Sequence, residues 1–98
     1  MDFLCYLNLF DFENIRIVKL INVGLTDSQL KILVDFIGGK RVEGLVLTGN
    51  RLSDLSVSIL LSRPLPYLHE IYLGKNRIGK YRVRENIVQL RNKFMVYL

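Results

Sequence analysis

The sequence predicts an α/β fold: a short parallel sheet with helical connectors, wound as a solenoid of about three repeats with a cap at each end. Two observations carry that expectation. An eleven-residue pattern recurs 26 positions apart, in Val42-Glu-Gly-Leu45-Val-Leu47-Thr-Gly-Asn50-Arg-Leu52 and Leu68-His-Glu-Ile71-Tyr-Leu73-Gly-Lys-Asn76-Arg-Ile78. A weaker copy lies 27 positions upstream, at Ile15-Arg-Ile-Val18-Lys-Leu20-Ile-Asn-Val23-Gly-Leu25. The segments between copies change period, from the alternation of a strand to the three-and-four spacing of a helix. The division that follows is a single domain over 1–98, with an N-terminal cap at 1–14, repeats at 15–41, 42–67 and 68–94, and a terminal strand at 95–98.

Within each copy the spacing has a physical cause. Leu45 and Leu47, like Ile71 and Leu73, alternate with Val46 and Tyr72, so a short strand turns its aliphatic side chains inward and shows the residue between them to solvent. The Asn that follows sits where the chain leaves the strand. Its amide both donates and accepts, so it can satisfy backbone groups of neighbouring coils as a ladder along the stack. The pattern L-x-x-L-x-L-x-x-N-x-L resembles the leucine-rich repeat, whose coils stack to bury a continuous core. The first copy departs from it: Val23 occupies the Asn slot and Asn22 comes one position early, so this coil lacks the ladder amide or carries a local bulge.

The connectors read as helices. Thr26 or Asp27 can cap the first, and Leu30, Leu33, Val34 and Ile37 make one buried stripe. Gly38-Gly39 then stops that helix through a left-handed residue. In the second connector, Val57, Leu60 and Leu61 lie 27 positions after Leu30, Leu33 and Val34, and Pro64 and Pro66 end the helix before the next strand. Repeats of this length with helical connectors resemble the ribonuclease-inhibitor-like branch of the family.

The 98 residues bury only about 60 to 65% of the unfolded chain's surface, so stability depends on sealed ends. Phe3, Tyr6, Leu7 and Phe10 fall at helical spacing and suit an N-terminal cap over the first coil. A targeting leader fits the same segment poorly, since Asp2 stands where a basic residue is needed and the apolar run is too short to span a bilayer. Cys5, the sole cysteine, has no partner for a disulfide and reads as a small buried hydrophobe of the cap. With no Asn-x-Ser/Thr acceptor either, the expected location is intracellular, in cytoplasm or nucleus.

The charge is concentrated. Over 75–93, Lys75, Arg77, Lys80, Arg82, Arg84, Arg91 and Lys93 stand against Glu85 alone, a local +6 in a chain whose formal charge is +5. A helix is expected near 81–93, with Val83, Ile87, Leu90 and Phe94 as its apolar stripe. Its polar side then forms two ridges, Lys80, Arg84 and Arg91 on one, Arg82, Asn86, Gln89 and Lys93 on the other. Those seven basic residues are candidates for contacts with nucleic-acid phosphates, against the alternative of a solvated face that aids solubility. Asn76-Arg-Ile78, Tyr81-Arg82, Ile87, Leu90, Phe94 and Tyr97-Leu98 resemble the C-terminal cap of short intracellular leucine-rich-repeat proteins, including those of ribonucleoprotein and mRNA-export leucine-rich domains. The resemblance implies a binding scaffold within a larger assembly.

No catalytic, metal or cofactor constellation is expected. His69 is the sole histidine, beside Glu70 at the edge of a strand, and lacks triad or ligand partners. Gly38-Gly-Lys-Arg41 lacks the Ser or Thr of a phosphate loop after its lysine.

Solvent-facing strand positions line up across stacked coils. Lys19, Val46 and Tyr72 form a central row, with Ile17, Gly44 and Glu70 on one side and Ile21, Thr48 and Gly74 on the other. A row this apolar, with an aromatic anchor beside small residues, marks Ile17, Lys19, Ile21, Val46, Thr48, Glu70 and Tyr72 as a protein-contact surface. Its competing reading is β-branched residues that only favour sheet formation. The expected function is a non-catalytic adaptor, gripping a protein with the concave sheet and RNA backbone with the basic C-terminal face. The alternative is a scaffold or regulatory subunit that meets protein alone. Neither involves a membrane, a small-molecule substrate or a cofactor.

Overall fold

A computed structural model describes residues 2–78 and 84–98, Arg84 by its backbone alone. The chain is α/β. Its described elements are α1 (Phe3–Leu7), β1 (Ile17–Lys19), α2 (Asp27–Ile37), β2 (Gly44–Val46), α3 (Leu55–Ser62), β3 (Glu70–Tyr72), α4 (Arg84–Lys93) and β4 (Met95–Tyr97). The four strands form one parallel sheet in sequence order, β1-β2-β3-β4, and each junction from β1 to β4 contains a helix. Parallel neighbours require such crossovers. The registers are unbroken: Val18 pairs with Leu45, Leu45 with Ile71, and Ile71 with Val96.

The central residue of each strand points into the core, with Val18, Leu45 and Ile71 buried and Val96 half-buried. Leu47 and Leu73, one turn of alternation later, are buried as well. On the other wall, α2 contributes Leu30, Leu33, Val34 and Ile37, the stripe expected from its spacing. Thr26 caps this helix and forms a reciprocal box: its hydroxyl accepts from the Gln29 N–H at 3.3 Å while the Gln29 side chain accepts from the Thr26 N–H at 3.1 Å. Asp27, the other candidate cap, bridges onward instead. Its carboxylate accepts from the Ser53 N–H and hydroxyl, tying the start of α2 to the chain that leads into α3.

Four local expectations are corrected. Gly38 closes α2 in the right-handed region at φ −55°, so no left-handed residue stops the helix; the turn is instead held by the Lys40 N–H on the Ile37 carbonyl at 2.9 Å. In α3, Ser56 and Ile59 are buried along with Val57 and Leu60, whereas Leu61 is only half-buried: packed between α2 and α4, this short helix has apolar contacts on more than one side. At the N-terminus, α1 ends at Leu7, so Phe10 lies beyond the helix and is exposed, and Phe12 is the aromatic that enters the core, 5.0 Å from the Phe36 ring. Cys5 is exposed too, because α1 buries only Leu7.

Of the C-terminal helix, α4 places Leu90 and Phe94 in the core with Ile87 half-buried against it. Val83, Lys80 and Arg82 lie outside the described residues. The terminal strand at 95–98 appears as β4, parallel to β3.

Two asparagines tie the units together at the strand ends. Asn50 Oδ1 accepts from the N–H groups of Val23 (3.1 Å) and Leu25 (2.9 Å), and Nδ2 donates to the carbonyls of Leu20 (2.6 Å) and Leu47 (2.9 Å). Asn76 repeats this one unit on. It accepts from Asn50 and Leu52 N–H groups, both at 3.1 Å, and donates to the Leu47 and Leu73 carbonyls at 2.9 and 3.0 Å. The first unit has no such amide. Asn22 is exposed in the left-handed region at φ 55°, its side chain lying over Gly49, while register continues to the Thr26–Arg51 bridge. The equivalent positions Gly49 (φ 76°) and Lys75 (φ 55°) share that left-handed turn.

Candidate functional site

The outward positions of the strands come together on one face. Because the inward residue of each strand is its central one, the flanking residues project to the opposite side. The registers align Lys19, Val46, Tyr72 and Tyr97 as one row, and Ile17, Gly44, Glu70 and Met95 as the next. Pairing continues past the strand ends, through the Asn22 N–H on the Thr48 carbonyl and the Gly49 N–H on the Gly74 carbonyl, which extends the alternation to Ile21, Thr48 and Gly74. All seven sheet residues expected to contact protein therefore share this face.

Its chemistry is graded. Ile17 (50% exposed), Ile21 and Met95 offer apolar side chains to solvent at its two margins. Between them Val46, Thr48, Glu70 and Tyr72 are half-buried, sheltered by their neighbours. The Tyr72 and Tyr97 rings stack with centroids 4.4 Å apart and planes 11° from parallel, giving the face a rigid aromatic plate. Desolvation, then the Glu70 carboxylate and Tyr97, raise the Tyr72 phenol above its ordinary ionisation range. Gly44 is buried between its row neighbours: a Cβ there would stand 3.5 Å from the Glu70 side chain and 3.6 Å from Ile17, in ordinary contact with both.

Met95 and Tyr97 were missed as face residues. The signal was present, since both follow Glu70 and Tyr72 by 25 positions, close to the repeat period.

The C-terminal basic residues are not one patch in the described structure. Lys75 and Arg77 follow β3, at the end where the strands finish, and the Arg77 N–H reaches the Leu52 carbonyl. Arg91 and Lys93 close α4, at the end where the strands begin: the Met95 N–H bonds the His69 carbonyl at 2.8 Å, just before β3. All four are exposed. Lys80 and Arg82 lie outside the described residues, and Arg84 opens α4 with its backbone alone described.

Elsewhere, an apolar groove of about 230 Å3 opens along β1, lined by Tyr6, Phe10, Ile15, Ile17 and Leu20 among others. Among the described residues no group of His, Cys, Asp and Glu is placed to hold a metal ion. None of their helices is long and apolar enough to cross a membrane. No family model matches this chain, and no curated protein matches it.

Proposed function

We propose that this chain is a leucine-rich-repeat solenoid acting as a non-catalytic intracellular adaptor, one that holds a protein partner against its sheet face within a ribonucleoprotein. The repeat assignment is supported by the recurring order of strand, left-handed turn and helix, by the continuous parallel register, and by Asn50 and Asn76 bonding the unit before each of them. The observation that carries the function is the in-register row of Val46, Tyr72 and Tyr97, flanked by exposed Ile17, Ile21 and Met95. Aromatic anchors in a partly sheltered surface with an apolar surround are the composition of a binding hot spot.

The test is affinity isolation from the source cell with the whole chain, with and without ribonuclease, alongside Tyr72→Ala. The expected result is a defined protein partner whose affinity for the variant falls by about 2 kcal/mol or more, and an assembly that also retains RNA. A partner bound equally by Tyr72→Ala would overturn the sheet-face reading. The second reading, a scaffold for protein alone, is favoured by the separation of Lys75 and Arg77 from Arg91 and Lys93. Partners that persist unchanged after ribonuclease, from a protein that binds no RNA near physiological salt, would establish it.

A further inference from the structure

The edge at which the strands begin collects charge from every unit. Stepping back from the paired residues Ile17, Gly44, Glu70 and Met95, the positions just before the strands bring Lys40 to Glu13, Arg16 to Glu43 and Arg41 to Tyr67, each pair 26 or 27 residues apart in sequence. Three cations here are already matched: Arg16 to Glu43 at 2.9 Å, Lys40 to Glu13 at 3.3 Å, and Arg63 to Asp35 at 2.7 Å. Arg41 and Lys93 have no carboxylate partner among the described residues, so the edge carries surplus positive charge toward its β3–β4 side.

That surplus is interleaved with aromatic surface. The Arg41 guanidinium lies 5.8 Å from the centre of the Tyr67 ring, which remains 40% exposed. Its chain neighbours Pro66 and Leu68, with Pro64, His69 and Lys93, line an open groove of about 420 Å3. Lys93 packs its ammonium 5.7 Å from the buried Phe94 ring, which anchors the cation at the groove wall.

We propose that this edge binds single-stranded RNA, with Arg41 and Lys93 contacting phosphates and Tyr67 stacking on a base. An acidic protein segment would use the two cations but would have no use for the exposed ring, whereas a flexible strand of nucleotides uses both. The proposal rests on the ribonucleoprotein reading and relocates its RNA contact. Lys93 is the one described residue of the basic run that the site uses, and Arg41 and Tyr67 come from the preceding units.

The experiment titrates the full chain into a labelled oligouridylate of roughly ten nucleotides, at several salt concentrations. Affinity should fall with salt by about 0.7 log units per log unit for each phosphate held, and Arg41→Gln with Lys93→Gln should lower that slope by about 1.4. Tyr67→Ala should weaken binding about tenfold at unchanged slope, with Tyr67→Phe retaining affinity, since stacking needs the ring and not the hydroxyl. Lys75→Gln with Arg77→Gln, at the far end of the strands, should leave affinity within about twofold by the same reasoning. All these side chains are exposed, and thermal melts of each variant verify that the fold is intact.

If Lys75→Gln with Arg77→Gln abolishes binding while the edge variants retain it, the site is overturned and the ribonucleoprotein reading survives. If the wild-type chain binds no oligouridylate, the edge site is overturned, and partners that also persist after ribonuclease overturn the ribonucleoprotein reading with it. If polyglutamate of similar length binds as tightly and Tyr67→Ala changes nothing, the edge is a surface for acidic protein and the proposal is wrong.

Discussion

Replacing Asn50 by Ala tests the connection between units most directly. The side chain is only 8% exposed and serves five backbone groups that belong to two units, the Thr48 carbonyl among them at a long 3.4 Å and also held by the Asn22 N–H. Their losses are unequal. The Leu47 carbonyl keeps the Asn76 amide at 2.9 Å, and the exposed Val23 backbone can turn to water. The Leu25 N–H, bonded within the core, and the half-buried Leu20 carbonyl have no such recourse. At about 1 to 3 kcal/mol for each buried group left unpaired, with the Leu20 carbonyl at the lower end, the expected destabilisation is about 3 kcal/mol. For a domain of this size that lowers the melting temperature by roughly 12 to 24 °C. Asn76→Ala removes bonds to less buried partners and should cost about half as much. Asn50→Asp retains the acceptors but sets a carboxylate oxygen against the Leu20 carbonyl, so it should not rescue. Circular dichroism melts in heat and urea would measure all three. An Asn50→Ala melt within about 2 °C of wild type would refute the assignment, because a shift that small corresponds to less than about 0.5 kcal/mol.

Gly49→Ala should destabilise by roughly 1 to 2 kcal/mol in urea titrations, because Gly49 is left-handed and the exposed Asn22 side chain must swing out of the space of its Cβ. Made in an Asn22→Gly background, the same change should cost only the backbone term, roughly 1 kcal/mol. The Cys5 thiol is held above its ordinary range by hydrogen bonding to the Asp2 carboxylate and by its charge, so thiolate is scarce near neutrality. Asp2→Asn, which can still cap α1, should therefore speed alkylation of Cys5 by iodoacetamide. The Tyr72 phenol is raised from 10.0, so folding favours its protonated form: that stabilisation is complete below the ordinary phenol range and is lost as pH rises through the folded value. Tyr72→Phe should remove this alkaline loss, as followed by denaturant titrations above pH 10.

Much of the sheet was legible because its determinants are local and repeated. Leu45, Leu47, Ile71 and Leu73 announce inward positions by alternation, and the recurrence of Asn50 at Asn76 marks where each strand ends. The start of α2 was visible in Thr26 and Asp27, and the structure gives the cap to Thr26 and the bridge to Ser53 to Asp27. What failed depended on tertiary placement. Phe10 and Phe12 are equally apolar, and nothing in their spacing reveals that α1 stops at Leu7 and hands the buried place to Phe12. Cys5 looked like core because small hydrophobes usually are, yet α1 turns only Leu7 inward. Gly38-Gly39 matched a helix-stop signature, but the Lys40 N–H closes the turn with ordinary right-handed geometry.

Among the described residues the basic run divides for a more general reason. A window of consecutive residues is the wrong measure of a patch in a chain that rises along a strand and returns along a helix. Lys75 and Lys93 belong to one run in sequence, but they sit at opposite ends of the strands, because ten residues of α4 span about 15 Å in the return direction. Residues one period apart instead become neighbours, as Arg16 does with Glu43, Lys40 with Glu13, and Arg41 with Tyr67. A count along the sequence therefore gives no sign of the edge where cations of successive units meet. Counted at the period, the same sequence pairs Glu70 with Met95 and Tyr72 with Tyr97 on the sheet face. One spacing thus generates two chemically distinct surfaces on different parts of the molecule, a sheet face and a charged edge, so the proposed protein and RNA contacts would not compete for the same side chains.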